Sequence, residues 1–140
     1  MIRNTVRALC AASLIIAPLA LSSPAEAATS CRVNGFLVTS GTVNGTPGSD
    51  FIQCSTVNAG DTVNGLGGND YIVTGDVAGT VRGGSGSDYL QVNNVSPTGQ
   101  VLGDSENDYI RTGINQNIVD GGGGFNVCRV AGGNPPTHCI

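Results

Sequence analysis

The sequence predicts an all-β protein: a short, right-handed parallel β-solenoid of about five coils, closed by a disulfide at each end. Three observations predict it. Five segments share one frame, apolar positions inside them recur every nine residues, and no stretch shows the 3.6-residue period of a helix.

The frame is Val-x-Gly-x-x-Gly-x-Asp-aromatic-aliphatic. It reads VNGTPGSDFI from Val43, VNGLGGNDYI from Val63, VRGGSGSDYL from Val81, VLGDSENDYI from Val101 and VDGGGGFNVC from Val119. The starts lie 20, 18, 20 and 18 residues apart. Five copies in register argue against glycine-rich disorder. Val63, Ile72, Val81 and Leu90 are nine apart, as are Val101, Ile110, Val119 and Cys128. The steps from Ile52 to Val63 and from Leu90 to Val101 are eleven. Both long steps fall in the same half of the repeat, so the extra residues bulge at one corner while the glycine loop keeps its length.

A nine-residue unit fits a six-residue turn and a three-residue strand. Two units make one coil, and successive coils hydrogen-bond about 4.8 Å apart. Strand alternation turns Ile52, Ile72, Leu90, Ile110 and Cys128 inward as one column, with Val43, Val63, Val81, Val101 and Val119 as a second.

Arg3, Arg7, the apolar run Ala8 to Leu21 and the small-x-small triplet Ala25-Glu26-Ala27 read as a signal peptide over residues 1–27. The run is too short to be a persuasive retained anchor. The expected protein is therefore secreted, with an N-terminal cap over 28–42, the solenoid over 43–130 and a disulfide-closed tail over 131–140.

The exported part holds all 22 glycines, no Lys and no Trp. Nine carboxylates stand against Arg32, Arg82, Arg111 and Arg129, a formal charge of 4 − 9 = −5. Such a chain does not attract nucleic acid or an anionic membrane. Large side chains are few, so stability has to come from repetition and cross-links.

Cys10 leaves with the signal. Cys31, Cys54, Cys128 and Cys139 remain, an even number in an oxidising setting, which predicts two disulfides. No Cys-x-x-Cys pair supports a thiolate metal site. Stacking puts Cys54 in the first coil and Cys128 in the fifth, about 19 Å apart, beyond the reach of a disulfide. Cys31 with Cys54 and Cys128 with Cys139 is the natural pairing, one staple for each end of the stack.

Gly83-Gly84-Ser85-Gly86-Ser87-Asp88-Tyr89-Leu90 resembles the nonapeptide of the repeats-in-toxin (hemolysin-type) calcium-binding β-rolls. The resemblance runs over about Val43 to Val130. It implies Ca2+ held between adjacent coils by loop carbonyls and the loop aspartate. The implied ligands are Asp50, Asp70, Asp88 and Asp108, with Asn126 in the last loop and the backbone of Gly45, Gly65, Gly83, Gly103, Gly48, Gly68 and Gly86.

Departures are plain. Thr46, Leu66 and Asp104 replace the second glycine of their loops, Glu106 replaces a later one, and Asn126 replaces the last aspartate. The opposite half of the coil has Gly41, Asp61, Gly79, Gly99 and Asn117 at the aspartate positions, so calcium is expected along one edge only, at most three or four ions.

A physical argument points the same way. Four stacked carboxylates about 4.8 Å apart repel by roughly 3 kcal/mol per neighbouring pair at an effective dielectric near 20. A dication removes that burden. Ca2+ sits about 2.3 to 2.6 Å from oxygen and matches the coil spacing better than Mg2+. Aspartates that only cap their own turns would account for each loop singly and not for the shared edge.

Phe51, Tyr71, Tyr89 and Tyr109 form an outward column, either a stacking ladder or a strip for a protein or glycan partner. His138 is the single histidine and has no evident nucleophile, so no enzyme is expected. A threonine file of the ice-binding kind begins at Thr42, Thr62 and Thr80 but breaks at Gln100 and Ile118. The expected function is a secreted calcium-binding repeat protein. The alternative is a metal-free structural or adhesive solenoid that uses its tyrosine ladder.

Overall fold

The computed structural model describes residues 27–140. The signal sequence and its cleavage site lie almost wholly outside the described residues. Twelve strands are described: β1 (Ser30–Val33), β2 (Phe36–Thr39), β3 (Thr42–Asn44), β4 (Phe51–Cys54), β5 (Thr62–Gly67), β6 (Tyr71–Thr74), β7 (Thr80–Ser85), β8 (Tyr89–Val92), β9 (Gln100–Ser105), β10 (Tyr109–Asn115), β11 (Ile118–Asp120) and β12 (Val127–Gly133). They form two sheets. One runs β12-β10-β8-β6-β4-β1-β2 and the other β11-β9-β7-β5-β3.

Along the solenoid every pairing is parallel and steps one coil. Phe51 stands over Tyr71, Tyr71 over Tyr89 and Tyr89 over Tyr109, while Val43, Val63, Val81, Val101 and Val119 follow the same order in the other sheet. The protein is a parallel β-solenoid of about five coils.

The interior is one residue deep from each sheet. Ile52, Ile72, Leu90 and Ile110 are fully buried and meet the buried valine column. Cys128 ends the first column only partly buried, because it lies at the last coil and carries a disulfide. A third column, Val57, Val77, Val95 and Asn115, closes the corner through single parallel bridges. Sequence periodicity missed it because one residue per coil leaves no alternation to detect. The extra residues of the long steps sit in turns at this corner, closed by Asp61 N–H to Asn58 O (3.1 Å) and Gly99 N–H to Ser96 O (2.9 Å).

Both ends are covered as the cysteine spacing predicts, by Cys31–Cys54 and Cys128–Cys139. The N-terminal cap is an antiparallel hairpin. Asn34-Gly35, both at positive φ (50° and 87°), turns β1 into β2, and β1 pairs antiparallel with β4. At the other end the tail lies on β11, with Gly121 N–H bonded to Thr137 O at 2.9 Å. Each edge that continues the stack is thereby partly occupied by the chain's own termini.

Candidate metal centre

The glycine loops of coils two to five share one backbone shape. The second loop position is left-handed at Leu66 (82°), Gly84 (115°), Asp104 (78°) and Gly122 (80°). The fourth is left-handed at Gly68, Gly86, Glu106 and Gly124. Leu66, Asp104 and Glu106 therefore hold a conformation that a side chain makes costly. The stack imposes it, since the adjoining loops are already in that shape on both sides of Asp104 and Glu106 and on one side of Leu66. The first loop departs: Thr46 and Gly48 do not take positive φ.

These loops turn the aspartates inward. Asp50, Asp70, Asp88 and Asp108 are 2 to 4 % exposed and Asn126 is 1 % exposed. One oxygen of each has a fixed partner in the coil before it. The Asp50, Asp70, Asp88 and Asp108 N–H groups donate to Oδ1 of Asp70, Asp88, Asp108 and Asn126 at 2.8 to 2.9 Å. The file is thus a side-chain ladder running through the loop edge.

Both ends of the ladder finish on asparagine. Asn34 donates to Asp50 Oδ1 at 2.5 Å and accepts from Phe51 N–H. Asn126 Nδ2 donates to the His138 carbonyl at 3.2 Å and to Gly122 O at 3.3 Å. Neither Asn34 nor the tail carbonyl was identified from sequence. The Asn34-Gly35 pair was the available signal, a hairpin turn directly before the first repeat.

The second carboxylate oxygen is the unusual atom. Asp70 Oδ2, Asp88 Oδ2 and Asp108 Oδ2 are buried with no hydrogen-bond partner. Each points at the Cα of the first loop glycine, where the next coil's glycine carbonyl also arrives. A methyl on Gly65 would overlap Asp70 Oδ2 and Gly83 O. One on Gly83 would overlap Asp88 Oδ2 and Gly103 O, and one on Gly103 would overlap Asp108 Oδ2 and Gly121 O. Each cradle gathers two oxygens around the glycine Cα–H, and the carboxylate oxygen receives no N–H or O–H donor there. Asn126 makes the contrast, because its amide presents N–H to the same kind of carbonyl. Asp50 differs again: the Thr46 N–H donates to its Oδ2 at 2.5 Å.

Electrostatics follow this geometry. Burial raises the Asp88 carboxyl to about 7 and Asp108 to about 6, against hydrogen bonds from the preceding coil that pull down, with neighbouring carboxylates pushing further up. Asp70 is raised for the same first reason. Burial also pushes Asp50 up, but hydrogen bonds from Thr46 and Asn34 outweigh it and leave that carboxyl lowered.

The donor set is hard oxygen from Asp70, Asp88 and Asp108 together with the carbonyls of Gly83, Gly103 and Gly121, and this fits a hard cation. Among the described residues no three His, Cys, Asp or Glu side chains converge on one point, so backbone carbonyls would supply much of any coordination. Gly48, Gly68 and Gly86 lie outside the cradles. Gly68 O packs against Gly86 of the next coil.

The aromatic column is a stacked ladder. Phe51–Tyr71, Tyr71–Tyr89 and Tyr89–Tyr109 have ring centroids 5.6, 4.8 and 5.0 Å apart and planes within 14°. His138 Nδ1 lies 2.7 Å from Asp120 Oδ1, while the backbone carbonyl of His138 closes the ladder at Asn126. Among the described residues no helix is long and apolar enough to cross a membrane.

Fold and file together define a disulfide-closed parallel β-solenoid with a buried aspartate ladder. No family model, curated protein or solved structure matches the chain.

Proposed function

We propose that the protein is a secreted calcium-binding solenoid whose ions lie along the aspartate edge and stabilise the stack. One observation carries the reading: three buried carboxylate oxygens lie close to backbone carbonyls and receive no hydrogen bond. Unpaired buried charge is costly, and a divalent cation supplies the missing positive charge. Asp70, Asp88 and Asp108 would hold it through Oδ2, helped by the carbonyls of Gly83, Gly103 and Gly121. The protein's role is then binding, with metal affinity and folding stability drawn from one free energy. The two disulfides and the N-terminal sequence support an extracellular setting.

A metal-free reading has its own support, since the Oδ1 ladder is complete without an ion. In that case burial, which raises the pKa of all three carboxyls, favours their protonated forms. Calorimetric titration with Ca2+, with native mass spectrometry for stoichiometry, separates the two. Calcium binding predicts up to three or four ions and a rise in melting temperature over the chelated protein. No heat, no bound ion and identical melts in calcium and in chelator would leave the metal-free solenoid.

A further inference from the structure

The two disulfides differ in what surrounds them. Cys31 and Cys54 are 1 and 4 % exposed and stand opposite each other on β1 and β4, with β2 flanking one strand and β6 the other. Cys128 and Cys139 are both partly exposed, and no residue after Asn126 is buried. A thiol in solution has access to the second bridge, whereas the first opens to it only when the N-terminal hairpin comes away from β4.

Residues 134–140 place no side chain in the core, so their remaining hold on the stack is polar. Thr137 N–H donates to Val119 O and Thr137 O accepts from Gly121 N–H, both at 2.9 Å. Asn134 N–H donates to Asn115 O at 2.7 Å and Ile140 N–H to Asn126 O at 2.8 Å, and His138 pairs with Asp120. Hydrogen bonds at an exposed edge exchange with water and offset little of the entropy lost in ordering a chain segment. The covalent link therefore keeps the tail in place. What it holds there is a substitute for a further coil. The carbonyls that meet the first loop glycine of successive coils belong to Gly65, Gly83, Gly103 and Gly121, and at the last coil to His138. Thr137 makes with Asp120 the parallel bridge that a following strand would make.

We propose that Cys128–Cys139 is a redox clasp: a dithiol reductant opens it while Cys31–Cys54 stays closed, and opening releases residues 134–140 from β11. One thiolate of the reductant attacks a sulfur of the bridge, forming a mixed disulfide and expelling the other cysteine. The reductant's second thiolate then displaces the remaining cysteine. The reductant leaves as a cyclic disulfide, and its two protons end on Cys128 and Cys139 as thiols. Release uncovers Val119 O and Gly121 N–H and turns β11 into an open parallel edge, and it removes the His138 carbonyl from the end of the aspartate ladder. Oxidation returns the tail and covers the edge again. The clasp does not depend on an ion being held at the aspartate file.

The test exposes the oxidised protein to graded dithiothreitol under native conditions, in chelator and in calcium, traps free thiols with iodoacetamide and maps them by peptide mass spectrometry. Cys128 and Cys139 should be labelled at least about ten-fold faster than Cys31 and Cys54. In the singly reduced protein, before trapping, amide exchange should quicken at Gly121 and Thr137 and stay slow from β4 to β8, with the β-type circular dichroism retained. Oxidised glutathione should restore protection at Gly121. Equal labelling of the two pairs, or earlier opening of Cys31–Cys54, overturns the proposal. So does unchanged exchange at Gly121 once Cys128–Cys139 is open, general loss of the circular dichroism at that point, or failure to re-form the bridge.

Discussion

Replacing Asp88 with asparagine probes what the file holds. The amide keeps Oδ1 for the Asp70 N–H and turns the partnerless Oδ2 into a donor facing the Gly103 carbonyl, as Asn126 already faces the His138 carbonyl. In the metal-free protein the Asp88 carboxyl is raised from 3.8 to about 7. The folded state therefore holds this proton more tightly than the unfolded state does. The stability it contributes is complete below about pH 4 and is lost as pH rises through about 7. That interval corresponds to about 4 kcal/mol. Asp108, raised to about 6, acts in the same direction. Asp50 and Asp120 are lowered, so their contribution is lost only as pH falls below the ordinary carboxylate range, outside this window.

Asp88→Asn has no such proton to lose. In chelator at pH 8 the variant should be more stable than wild type by up to about 4 kcal/mol, on the order of 15 °C in melting temperature for a domain of this size. At pH 4 the two should nearly coincide. Calcium at pH 8 should raise the wild type more than the variant and release protons as it binds. Thermal melts by circular dichroism at both pH values, with chelator and with millimolar calcium, measure all of this. A metal-free wild type that gains stability between pH 4 and pH 8, or a variant that melts lower at pH 8, refutes the buried, uncompensated carboxyl.

Two further outcomes follow from the same geometry. Gly83→Ala forces a methyl onto Asp88 Oδ2 and Gly103 O and should cost more than about 3 kcal/mol by overpacking, whereas Gly132→Ala, with nothing within 4 Å and no positive φ, should be nearly neutral in denaturant melts. Replacing Cys128 and Cys139 with alanine should cost about 2 to 4 kcal/mol; hydrogen exchange should then quicken at β11, where the tail lies, and stay slow at β6.

How far the sequence alone reaches differs from one part of this protein to the next. Repeat length, coil count, the two inward columns, the corner that takes the insertions and the disulfide pairing were all legible. Each follows from a period along the chain or from the distance that a period implies. The left-handed backbone at Leu66, Asp104 and Glu106 was less so, because their neighbours in the stack impose it against local preference.

The candidate site divides the same way. The frame brought Asp50, Asp70, Asp88 and Asp108 to one edge, since identical positions in stacked coils must lie in file. It could not say that Oδ1 would be taken by the preceding coil's N–H, or that Oδ2 would be left without a partner. Nor could it place Asn34 and the His138 carbonyl at the two ends of the ladder. Periodicity carries position, because backbone pairing repeats with the sequence. Which atom of a carboxylate meets which amide is decided only when coils close to contact, where hydrogen-bond geometry and exclusion of water set the cost of each orientation.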